Sequence, residues 1–208
     1  MRRVLAALAA LAAASPAAAQ NFHVGAQGIF ADYREVTSAL AFTGAGFGGT
    51  LDYAHHKFSG DVEIASLSFQ PASGSNATAK FTATEVDLHL RWFLASGVSF
   101  ETGYLRRGIS PEFTAQALSA FRVGVHAFYP VGPGAYLTLR GNYLPGAKFS
   151  GGGTAGFAVD LGLGVAIGSV NGRFHVTGDY DFQRIDRKTS ITVPMQLSMA
   201  RIGARVGF

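Results

Sequence analysis

The chain has no cysteine among its 208 residues. That excludes a disulfide framework, the usual support of small exported domains, and any thiolate metal site. Charged residues make up only 14% of it and proline occurs seven times. Beyond the first twenty residues no run of eighteen apolar residues occurs, so no helix is available to cross a bilayer. Yet hydrophobic residues reach 48% and glycine counts 27. Glycine inside a helix costs about 1 kcal/mol relative to alanine, so this mixture suits strands and tight turns.

The N-terminus predicts export. Arg2 and Arg3 form a positive start, Val4 to Ala14 a short apolar run, and Ser15-Pro16 a break before Ala17-Ala18-Ala19. This is the pattern of a signal peptide over 1–19, cleaved after Ala19. The domain is then 20–208. Without Arg2 and Arg3, the seventeen basic side chains fall to fifteen, against thirteen acidic ones. So small an excess does not suggest a nucleic-acid partner.

Hydrophobicity alternates with period two through ten segments, at 21–34, 43–54, 60–70, 81–94, 98–107, 117–129, 135–144, 155–167, 173–183 and 192–208. In the fourth, Thr84, Val86, Leu88, Leu90 and Trp92 share one face while Glu85, Asp87, His89 and Arg91 share the other. Four ionisable groups in a row require a wet or internally paired environment, and the opposite face is too apolar for water. Apolar side chains outward and polar ones in the lumen is the rule for a closed barrel in lipid. The third segment is irregular: Leu67 and Phe69 run out of phase with Val62 and Ile64, and a β-bulge near Ala65-Ser66 would turn them outward. The connections at 35–42, 71–80, 108–116, 145–154 and 184–191 are the longer set and predict the outer side. Those at 55–59, 94–97, 130–134 and 168–172, the last carrying the hairpin signal Asn171-Gly172, predict the periplasmic side. Two aromatic girdles follow: Phe22, Tyr53, Trp92, Phe100, Tyr129, Phe174 and Phe208 below, and Phe30, Phe81, Tyr104, Tyr143, Phe157 and Phe182 above. The glycine-rich loop Gly151-Gly152-Gly153 lacks the lysine and helix of a phosphate-binding loop.

The signal, the alternating strands and the terminal Arg205-Val206-Gly207-Phe208 resemble the small bacterial outer-membrane β-barrel proteins. The resemblance implies an all-β, antiparallel up-and-down transmembrane barrel of about ten strands, with eight as the alternative. It also implies residence in the outer membrane and contact with its lipid and lipopolysaccharide. Phe208, with Val206 and Ala204, is implied as the signal read by the barrel-assembly machinery.

The inward face carries Glu85, Asp87, Arg91, Glu101, Arg107, Arg122, Arg140, Asp160, Arg173, Asp179, Asp181, Arg201 and Arg205. The expectation is a network of ion pairs filling a narrow polar lumen, in a non-enzymatic protein with a structural or surface-interaction role and no cofactor or metal. A narrow channel for small or hydrophobic solutes is the second reading. A third comes from Asp87/His89 and Asp179/Asp181. These resemble, in dipeptide pattern and in reverse chain order, the water-activating pairs of omptin-type outer-membrane proteases. The alternation places Asp87 and His89 at mid-barrel or lower and Asp181 near the outer rim. His23, His89, His126 and His175 face inward and read as lumen histidines rather than metal ligands. Arg106, Arg107, Lys148, Arg184, Arg187 and Lys188 near the outer rim are candidates for lipopolysaccharide phosphates.

Overall fold

The computed structural model describes residues 22–168 and 173–208. The expected signal peptide and the Asn171-Gly172 turn lie outside them. The strands are β1 (Phe22–Glu35), β2 (Leu40–His55), β3 (Phe58–Pro71), β4 (Phe81–Ala95), β5 (Val98–Pro111), β6 (Leu118–Gly132), β7 (Ala135–Tyr143), β8 (Lys148–Phe149), β9 (Thr154–Gly168), β10 (Phe174–Lys188) and β11 (Thr192–Gly207). Consecutive long strands pair antiparallel, and β1 pairs with β11 from His23↔Gly207 to Glu35↔Met195. Ten strands therefore close on themselves and leave no open edge. The two-residue β8 bridges β6 and β9 beyond the end of β7.

Both described ends of the chain lie at one end of the barrel. There the turns shrink to two residues, with Gly97 at φ 81° and Gly134 at φ 74°, left-handed positions that glycine takes without a Cβ clash. The strands run further than the hydrophobic alternation suggests. The expected loops at 35–42 and 184–191 contract to 36–39 and 189–191, and β5 continues to Pro111 before a single 3-10 turn at Thr114–Gln116.

The added length explains the principal departure from the sequence reading. Strands of 14 to 16 residues tilted by about 40° stand about 38 Å tall, against an apolar band of about 25 Å in a membrane barrel. The excess lies at the end far from the termini. There the outward positions turn polar: Asp32, Arg34, Ser68, Gln70, Arg106 and Ser110 are all exposed. The inward positions turn apolar at the same height: Ile29, Tyr33, Phe42, Leu67, Phe69, Phe81, Leu105, Ile109, Leu118, Ile185, Met195 and Leu197 form one buried cluster. A barrel wall standing in water is stabilised by an apolar interior. A wall standing in lipid gains nothing from one and can hold charge inside. The polarity of the barrel inverts along its axis accordingly.

Two expectations fail for this reason. No bulge occurs at Ala65-Ser66: the pairings of β3 with β2 and β4 run without a break, and Leu67 and Phe69 are 1% and 2% exposed inside the lumen. Phe81 is likewise an inward residue, 3% exposed, and no part of the outer girdle. It packs edge-on against Phe42 and Phe113 and face-on against Phe69. The remaining aromatic rims point outward, with Trp92 at 53% and Tyr129 at 68% exposed near the termini and Phe30 at 62% and Tyr143 at 47% towards the other side.

Candidate functional site

The lower lumen is a web of guanidinium–carboxylate contacts built by inward positions of nine strands. Arg122 of β6 is its centre. It is 1% exposed and forks across the lumen, Nη2 donating to Asp87 Oδ2 at 2.6 Å and Nη1 to Asp160 Oδ2 at 2.7 Å. Gly103, its partner position in β5, leaves the room: a Cβ there would sit 3.1 Å from the Arg122 Cγ. His89 is fully buried, with Nδ1 3.1 Å from Glu101 Oε1 and Nε2 3.3 Å from Asp87 Oδ2. Glu101 also accepts from Arg91 Nε at 2.7 Å and Asn142 Nδ2 at 2.6 Å, and Arg91 pairs with Asp61. Arg140 pairs with Asp181 and holds Nη1 3.4 Å from His89 Nε2. Arg201 joins Asp181, Glu85 and Glu63. Arg205 donates to Asp52 at 2.8 Å, and Arg107 to Glu85 at 2.7 Å and Gln183 at 3.0 Å.

The lumen thus gathers Glu85, Asp87, Arg91, Glu101, Arg107, Arg122, Arg140, Asp160, Asp181, Arg201 and Arg205 into contacts. It does not gather Arg173, which lies exposed just before β10, or Asp179, which has no ion-pair partner among the described residues. Asp52, Asp61 and Glu63 join the web without having been singled out. Their signal was present: each alternates with Leu51, Tyr53, Val62 or Ile64 on the inward phase of its strand. Their inclusion and the loss of Arg173 change the balance. Below the apolar layer, nine carboxylates (Asp52, Asp61, Glu63, Glu85, Asp87, Glu101, Asp160, Asp179 and Asp181) stand against six guanidiniums (Arg91, Arg107, Arg122, Arg140, Arg201 and Arg205).

Three levels succeed one another along the lumen. At the termini end lies a cavity of about 250 Å³, reaching from Ala54 and Ser59 at the rim to Arg140, Asp181 and Arg201 inside. The charge web follows. Above it the apolar layer leaves a void of only about 20 Å³ among Tyr33, Phe69, Phe81 and their neighbours, room for about one water. The expected all-polar filling therefore holds for the lower lumen and is replaced by packed hydrophobic side chains in the upper.

No family model and no curated protein matches the chain. Solved structures do. The translocator domain of the autotransporter NalP from Neisseria meningitidis aligns over 100% of this chain and 94% of its own, with 12% identity and a TM-score of 0.50. The fold is that of an outer-membrane β-barrel. Neisserial surface protein A aligns over 90% of this chain and 97% of its own at 14% identity, TM-score 0.44. The transport unit of the autotransporter AIDA-I from Escherichia coli aligns over 91% of each chain at 12% identity, TM-score 0.44.

In this barrel the protease-like pairs sit differently from the sequence reading. His89 and Asp181 lie within reach of a single guanidinium, that of Arg140, which touches both. The rim cations also separate. Arg107 points inward and is buried, and Arg187 is taken by the Gly152 carbonyl and the Phe149 ring. Arg106 and Lys148 remain exposed, and Arg184 stands beside Asp186 at 3.0 Å. Among the described residues no three His, Asp or Glu side chains are grouped to hold a metal ion.

Proposed function

We propose that this protein is exported to the bacterial outer membrane and acts there without catalysis, as a structural or surface-interaction barrel whose lumen is closed to solutes. The observation that carries the reading is the apolar layer at Leu67, Phe69, Phe81 and Leu105, each at most 3% exposed, which occupies the lumen where a channel would need water. Chemistry at the Asp/His pairs is disfavoured by the partners of Asp87 and Asp181. Asp181 is held between Arg140 and Arg201, and Asp87 by Arg122. A carboxylate satisfied by guanidiniums is a weak general base.

The even strand number puts both ends on one side, and the short turns there match the periplasmic side of such barrels. The cap of apolar-filled, polar-walled barrel then stands above the outer leaflet, where Arg34, Arg106, Lys148 and Lys188 face lipopolysaccharide phosphates. Phe208, whose N–H donates to the Phe22 carbonyl at 3.0 Å, and the outward Val206 and Ala204 lie on the closing seam, where the assembly machinery would engage the last strand. The test is conductance in planar bilayers. The wild-type barrel is expected to show no steady unit conductance, whereas Leu67→Ala/Phe69→Ala/Phe81→Ala opens one. Steady conductance of the wild type would replace this reading by that of a narrow channel.

A further inference from the structure

The excess negative charge of the lumen is not spread evenly. Asp87, Glu101 and Asp160 each hold a guanidinium within 2.7 Å. Of the nine carboxylates below the apolar layer, those left short of a guanidinium line the termini-end cavity. Asp179 has no ion-pair partner among the described residues. Asp52 accepts from Arg205 through Oδ1, and its Oδ2 is buried with no hydrogen bond among the described residues. Among the described residues Glu63 is reached only by Arg201 at 3.9 Å, Arg205 at 4.0 Å and Gln27 at 3.5 Å.

A second observation points into the same space. His175, 4% exposed, lines the cavity, and its Nδ1 has no hydrogen-bond partner among the described residues. A buried ring nitrogen without a partner is costly in an apolar setting and is accounted for by a polar ligand. At the mouth the Phe128 and Tyr136 rings lie with centroids 4.6 Å apart and planes tilted by 41°. Aromatic faces beside unpaired carboxylates suit a cation that carries its charge on carbon-bound nitrogen.

We propose that the cavity is a binding site for a small organic cation, an ammonium or guanidinium group on a short carbon chain, entering from the termini side. Asp179 and Asp52 hold the cationic head, the His175 Nδ1 takes one N–H, and the Phe128–Tyr136 pair covers the chain. The volume of about 250 Å³ admits a molecule of this size and excludes a peptide. The site lies below the apolar layer, so the proposal goes beyond the closed-lumen reading and does not depend on it.

The experiment is calorimetric titration of the full barrel in zwitterionic phosphatidylcholine nanodiscs with 1,4-diaminobutane and agmatine. 1,4-Butanediol serves as the uncharged counterpart and magnesium chloride as the metal. Both amines are expected to bind and the diol not. Asp179→Asn removes a carboxylate that supports no ion pair, so folding persists, which heat-modifiable gel mobility checks. It is expected to weaken amine binding by about tenfold or more, the effect of losing one charged partner at a desolvated site. Asp186→Asn, outside the lumen, is expected to leave binding unchanged. Wild-type affinity in Asp179→Asn, equal binding of the diol, displacement of the amines by equimolar magnesium, or no heat from either amine would each overturn the proposal.

Discussion

Replacing Arg122 by methionine is expected to destabilise the barrel by about 3–5 kcal/mol, the cost of breaking a buried pair from one side. The structure places the figure in that range for definite reasons. The side chain is 1% exposed, and its two donated hydrogen bonds of 2.6 and 2.7 Å end on carboxylates that are themselves 7% and 4% exposed. Methionine keeps the length and removes the charge. Asp87 then retains His89 at 3.3 Å, whereas Asp160 loses its one ion-pair partner among the described residues. Most of the loss therefore falls on Asp160, and the double variant Arg122→Met/Asp160→Asn is expected to recover about 2 kcal/mol of it, a coupling within the range for contacting residues. Arg122→Lys should fall between, since one ammonium reaches one carboxylate and not both. Trp92 is the only tryptophan and stands outward at 53% exposure, so reversible urea unfolding in lipid vesicles can be followed by its fluorescence. A loss below about 1 kcal/mol for Arg122→Met, or a double variant weaker than the single one, would refute the assignment of Arg122 as the central clamp.

Three further outcomes are expected. Phe81→Ala, which removes a ring packed on Phe42, Phe69 and Phe113, should cost about 3–5 kcal/mol in the same unfolding assay; a loss under 1 kcal/mol would mean the upper lumen is not a packed core. Ile202→Arg places a charge on an outward position that is 65% exposed, and should cost about 2–4 kcal/mol in vesicles near the bilayer midplane; a neutral effect would mean that β11 does not face lipid there. Gly162→Val should cost about 1–3 kcal/mol, because its Cβ would sit 2.7 Å from Asp181 Oδ1 and 3.1 Å from Arg140 Nε; retention of full stability would show that this ion pair has room to shift.

Much of the barrel was legible because side-chain sidedness in a strand has a period of two. Glu85, Asp87, His89 and Arg91 had to share a face whatever the partners of β4 turned out to be. The same rule misled at Leu67 and Phe69. Their phase was continuous with Asp61 and Glu63, but a single rule of apolar-outward applied along the whole strand demanded a bulge. The contacts of the lumen depend instead on the stagger between strands. His89 of β4 and Asp181 of β10 are remote in sequence and in pairing order, and only the closed barrel brings Arg140 of β7 between them. For the same reason Asp52, Asp61 and Glu63 could be placed on inward faces, while the shortage of guanidiniums around them emerged only with the tertiary contacts.

The sequence by itself determined that this chain forms alternating strands with one apolar and one polar face, because backbone pleating imposes that division locally. The tertiary structure decided where along the axis the two faces exchange roles. That exchange occurs where strands of 14 to 16 residues outrun an apolar band of about 25 Å. In the proposed membrane setting, water surrounds the wall above that height and the hydrophobic effect fills the lumen with Phe42, Leu67 and Phe81. Below it lipid would surround the wall, and Arg122 with its carboxylates occupies the interior instead.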